Sequence, residues 1–77
     1  MIAEETLELI YRRMRELDDF TTPGAMAKRL RTWDRSTLSV AFREGLARGW
    51  YETRGSAKHR NPQTGQPATE YKALPRK

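Results

Sequence analysis

The apolar positions of this chain change their period once, near residue 50, and that change divides it into helices followed by strands. Leu7, Ile10, Tyr11, Met14 and Leu17 fall on one stripe at about 100° per residue, which predicts an amphipathic helix over about 3–17. Ile2 and Leu9 project about 110° to 130° from the centre of that stripe. They leave open either a contact with a second copy or the scattered aliphatic exposure that is ordinary on protein surfaces. Thr22 offers a capping hydroxyl and Pro23 suits the first helical position, so a second helix is expected over about 23–30. Ala25, Met26 and Leu30 would face inward and Lys28, Arg29 and Arg31 outward. After a short turn Asp34 caps a third helix over about 35–48, with Leu38, Ala41, Phe42, Gly45 and Leu46 in a core-facing arc. Ser36, Val40, Arg43 and Ala47 lie on its opposite face, with Ser39 at the edge. Gly45 is costly inside a helix and is expected to admit a close neighbouring helix, while Gly49 stops the chain's last helical turn.

From Trp50 the alternation has period two, predicting strands over about 50–54 and 68–73. The segment between them, GSAKHRNPQTGQP, is rich in turn residues and lacks any large apolar side chain, so it reads as an exposed basic loop closing a hairpin. In the connector before the second helix, Phe20 is the only large apolar residue and is expected to plug the core, with room for a short third strand there. Residues 74–77 read as a tail that frays.

Length and charge sharpen this picture. Seventy-seven residues suit a single α+β domain with a modest core. The net charge of +5 is uneven. Residues 1–19 carry six acids against three arginines, a balance of −3, and residues 20–77 carry twelve bases against four acids, a balance of +8. Such a polarised domain can orient in the field of a polyanion. With no cysteine and one histidine, neither a thiolate nor a multi-histidine metal site can be built, and no cofactor is expected. Glutamates stand where a signal peptide would need bases, and no apolar run approaches membrane-spanning length, so a cytoplasmic protein away from membranes is expected. His59 has no nucleophile arranged beside it, and no phosphate-binding glycine loop is present; catalysis is not expected.

The outward face of the third helix carries the candidate chemistry. Hydroxyls can bond base edges or phosphates, Val40 can meet a thymine methyl, and Arg43 can take guanine or phosphate. The plain alternative is that these small residues simply face solvent. With residues 25–30 as a supporting helix, STLSVAFREGL as a recognition helix and RGWYE leading into the hairpin, the chain resembles the winged helix-turn-helix superfamily of bacterial and phage regulators. That resemblance implies three helices plus a two-stranded wing, and a groove-reading set of Ser36, Thr37, Ser39, Val40 and Arg43 on the recognition helix that Arg35 opens. Gly45 departs from the large aliphatic common at its position. RNPQTG at the loop is similar to the tip of the β-arm of HU-type architectural proteins. It would make Pro62 a wedge in the minor groove, flanked by Arg60 and Asn61. Asn-Pro followed by Thr-Gly is equally ordinary turn chemistry.

The expected function is therefore that of a small bacterial or phage transcriptional regulator binding double-stranded DNA. Its phosphate contacts would come from about five of Lys28, Arg29, Arg31, Arg35, Arg54, Lys58 and Arg60, with His59 beside the last two at groove or phosphate. The alternative is a winged-helix module that docks on a host protein, as a phage inhibitor or adaptor would. A homodimer is left open, because one recognition helix reads few base pairs.

Overall fold

The computed structural model describes residues 2–60 and 65–76, and for residues 57–59 the backbone alone. Three helices, α1 (Glu4–Leu17), α2 (Pro23–Leu30) and α3 (Arg35–Ala47), precede an antiparallel hairpin of β1 (Tyr51–Arg60) and β2 (Pro67–Ala73). This α+β arrangement has the layout of a winged helix. Each boundary has a local cause. Glu4 and Glu5 sit in the first turn of α1, where the helix dipole favours acids. Asp18 ends that helix in the left-handed region at φ 51°. The Thr22 hydroxyl accepts from the Ala25 amide at 3.1 Å, with Pro23 in the first turn behind it. Gly49, at φ 80°, turns the chain out of α3 and lets the Trp50 amide donate back to the Gly45 carbonyl at 2.8 Å.

The core is built by one face of each element: Leu7, Ile10, Tyr11 and Met14 from α1, Met26 from α2, Leu38, Ala41 and Phe42 from α3, and Tyr51, Tyr71 and Ala73 from the hairpin. Aromatic rings form its centre, with Phe42 lying 5.4 Å from Tyr51 and 5.1 Å from Tyr71, centroid to centroid. Gly45 is buried against the Tyr51 ring; a Cβ there would fall 2.2 Å from Cε2. The close neighbour that this glycine admits is thus a strand residue's ring and not a helix.

That contact also sets the roll of α3, and Leu46 turns out of the core with 40% of its surface exposed. In α2, Ala27 packs on the core in a half-buried position and Ala25 is exposed, reversing the expected inward position of Ala25. Ile2 is half-buried against the core, which leaves Leu9, 46% exposed, as the outward aliphatic of α1.

Phe20 is not part of the core. It is half-buried outside it, where the Arg54 guanidinium stacks 4.1 Å from its ring centre and Lys72 approaches at 5.9 Å. The short third strand reduces to a single bridge one residue later, Thr21 with Tyr71, made by backbone bonds of 2.9 and 2.7 Å. The hairpin extends further than its apolar alternation suggests. Between Gly55, paired with Thr69, and Arg60, paired with Pro67, β1 advances five residues while β2 advances two. Backbone pairing at Gly55 and Arg60, with a bulge between them, carries the strand past the apolar alternation.

The tail is docked through Arg76 rather than frayed. The Leu74 amide donates to the Trp50 carbonyl at 2.7 Å, and the Tyr11 hydroxyl donates to the Leu74 carbonyl. Arg76 then donates to both carboxylate oxygens of Glu8 at 2.9 and 2.6 Å. Its guanidinium lies over Tyr11 and Trp50, at 4.1 and 4.6 Å. No helix among the described residues is long and apolar enough to cross a membrane.

Candidate nucleic-acid interface

α2 and α3 are joined by a turn in which Arg31 takes φ 59°, a left-handed conformation uncommon for a side chain of this kind. The turn is closed at its far end by Asp34, whose carboxylate accepts the Thr37 amide at 2.7 Å. That bond holds the Asp34 carboxyl below its ordinary value, so it is ionised and committed to the helix end. An open groove of about 760 Å³ runs along this corner, lined among others by Lys28, Arg31, Thr32, Trp33, Arg35 and Thr37. Trp33 and Thr32 were not among the expected contact residues. Trp33 could have been singled out as the one aromatic residue between the two helices.

On the outward face of α3, Ser36, Val40 and Arg43 are exposed, Val40 to 48%. Ser39 and Thr37 are half-buried beside it. The structure thus brings Arg35, Ser36, Thr37, Ser39, Val40 and Arg43 onto one helix, adjoining the Lys28 and Arg31 edge of the groove, with Arg29 exposed on α2.

The distribution of ion pairs separates this region from the rest. Among the described residues the pairs are Arg13 with Glu16, Arg48 with Glu4 and Glu44, Arg54 with Glu70, and Arg76 with Glu8. None involves residues 22–43. That stretch holds five bases, Lys28, Arg29, Arg31, Arg35 and Arg43, against the single acid Asp34, a balance of +4.

The wing behaves differently. Arg54 donates to Glu70 at 2.7 Å while stacked on Phe20, so its guanidinium has internal partners on two sides. Arg60, at the end of β1, donates to the Gly65 carbonyl at 3.0 Å. The side chains of Lys58 and His59, together with Asn61, Pro62 and the rest of the turn that carries the HU-like motif, lie outside the described residues. No group of three metal-ligating side chains occurs among the described residues.

A scan against protein-family models, a search of the curated proteins and a search of the solved structures each return no match to this chain.

Proposed function

We propose that this chain is a DNA-binding protein, a small transcriptional regulator of the bacterial or phage type acting in the cytoplasm. In this reading α3 enters the major groove and the α2–α3 corner grips the flanking backbone. The observation that carries the reading is the concentration of cations without an acid partner in residues 22–43. Elsewhere most of the described arginines outside α1 have a carboxylate or a carbonyl partner. Here five bases share a stretch with one acid that is already engaged, and three of them, Lys28, Arg31 and Arg35, line the groove beside it. Leaving cations unpaired on one face creates a positive field with no internal use, and a phosphate backbone is its natural complement.

Lys28, Arg29, Arg31 and Arg35 would take phosphates. Ser36, Ser39, Val40 and Arg43 would read base edges, with Thr37 supporting the cap. Each phosphate contact releases condensed counterion, so these four phosphate contacts predict a slope of log K against log salt of roughly −3.5. Fluorescence anisotropy across a salt series on a random duplex pool measures it, and a slope near zero defeats the proposal. Sequencing the duplexes enriched by the purified protein then gives the preferred site and its symmetry.

The competing reading, a module that docks on another protein, draws on the exposed Val40 and Leu46 of α3. Association with one stoichiometric protein partner that survives high salt and nuclease would favour it.

A further inference from the structure

On α1, Leu9 stands 46% exposed between two charged residues, Glu5 and Arg12, that have no hydrogen bond or ion pair with any described residue. The neighbouring acids are already occupied, Glu4 by Arg48 and Glu8 by Arg76. Glu5, Leu9 and Arg12 follow i, i+4, i+7 spacing and form one stripe on the side of the helix turned away from Leu7, Ile10, Tyr11 and Met14.

We propose that this stripe binds a second copy of the chain, the two α1 helices packing antiparallel about a two-fold axis close to Leu9. The charge order selects both the partner and the direction. Glu5 and Arg12 lie about 10 Å apart along the axis, one on each side of Leu9. An antiparallel copy places each Glu5 opposite the other chain's Arg12 and brings the two leucines together at the centre. A parallel copy would set Glu5 against Glu5 and Arg12 against Arg12. The surface is therefore self-complementary in one orientation only, as an isologous contact requires. It is also small. A pair of two-turn helix faces buries well under the roughly 800 Å² per partner of a standard interface, so the dimer is weak, with a dissociation constant on the order of 10–100 µM.

The contact does not depend on DNA binding, and its test uses the full chain without DNA. Sedimentation from 10 µM to 1 mM is expected to show a monomer–dimer equilibrium. Glu5→Arg should weaken it about tenfold or more, and the double variant Glu5→Arg with Arg12→Glu should restore it to within about threefold of the parent. Because the chain has no cysteine, Leu9→Cys gives an independent readout. Mild oxidation should yield a disulfide-linked dimer, while Arg15→Cys, exposed on another side of α1, should not. A chain that stays monomeric at 1 mM, a dimer that Glu5→Arg leaves unchanged, or equal cross-linking at both cysteines overturns the proposal.

Discussion

The two ends of α3 use arginine in opposite ways. At its C-terminal end Arg48 donates to Glu4 at 2.8 Å and to Glu44 at 3.3 Å and lies 5.2 Å from the Trp50 ring centre. Beside it Arg76 repeats the arrangement with Glu8, Tyr11 and Trp50. Glu4 and Glu8 sit one turn apart on α1, so the two arginines close the same seam between α1, the α3 exit and the tail. At the N-terminal end, Lys28, Arg31 and Arg35 surround a groove, and further along the helix Arg43 stands free on the outward face. The same side chain is a structural clasp where a carboxylate faces it and an unspent charge where none does. The acidity of α1 is thus in part a set of partners for the tail and the α3 exit, and only the remainder contributes to the polarity of the whole domain.

The largest effect is expected from the framework side. Gly45→Ala would drive a methyl into the Tyr51 ring, which is 3% exposed and wedged among Tyr11, Phe42 and Tyr71 and so has nowhere to move. Overpacking of this kind costs about 3 kcal/mol, most of the stability of a domain this small. Urea unfolding measures it. The DNA affinity of the fraction that stays folded should be unchanged, and a Gly45→Ala protein with parental stability would show that the close packing is not required.

The second test sets a free cation against a clasped one. Arg35→Ala should lower the magnitude of the salt slope for DNA by about one and weaken binding to all duplexes alike. Arg43→Ala should in addition relax base preference. Arg54→Ala removes a guanidinium already held by Glu70 and Phe20, and should change the slope by less than about a third of that amount. Equal slopes for Arg35→Ala and Arg54→Ala would erase the distinction between the two kinds of arginine.

The clasp has its own signature in pH. The hydrogen bonds from Arg48 and Arg76 hold the Glu4 and Glu8 carboxyls below their ordinary value of 4.5. A group whose folded value is lowered stabilises the fold above its unfolded value and loses that contribution as pH falls through the folded one. Stability should therefore be flat from neutral pH down to about 4.5 and decline below it. Glu8→Gln should flatten part of that decline. Arg76→Ala also removes the stacking on Tyr11 and Trp50 and should lower Tm by about 5 °C. Thermal melts between pH 3 and pH 7 check both.

How far the sequence discloses this molecule depends on the range over which each signal acts. The three helices and the hairpin are legible because their causes are local: the Thr22 and Asp34 caps, the Leu7 to Leu17 stripe, and the alternation around Tyr51 and Tyr71. The outward face of α3 follows from the same periodicity. The position of Phe20 is not legible because its partners, Arg54 and Lys72, lie more than thirty residues away, and nothing near it in sequence distinguishes a core ring from one covered by cations. The extension of β1 to Arg60 rests on backbone pairing with β2, to which apolar periodicity is blind. Arg76 reads locally as the charge of a loose tail, and only the fold shows that Glu8, Tyr11 and Trp50 converge on it.

The smallest expected effect tests whether the framework is as fully satisfied as its ion pairs suggest. The Tyr51 hydroxyl is buried with no hydrogen-bond partner among the described residues, while the neighbouring Tyr11 hydroxyl donates to Leu74. Burial also pushes the Tyr51 phenol upward, so it stays neutral throughout the working pH range. A buried hydroxyl without a partner forfeits its hydration and gains nothing in return. Tyr51→Phe keeps the ring contacts with Phe42, Tyr71 and the face of Gly45 while removing that group. The variant should be as stable as the parent or up to about 1 kcal/mol more stable, with unchanged DNA affinity. Paired urea titrations resolve the difference, and a destabilisation beyond about 1 kcal/mol would mean that this hydroxyl does have a partner. The framework beneath the free cations would then hold a polar contact of its own, and the contrast between the two ends of α3 would be one of degree.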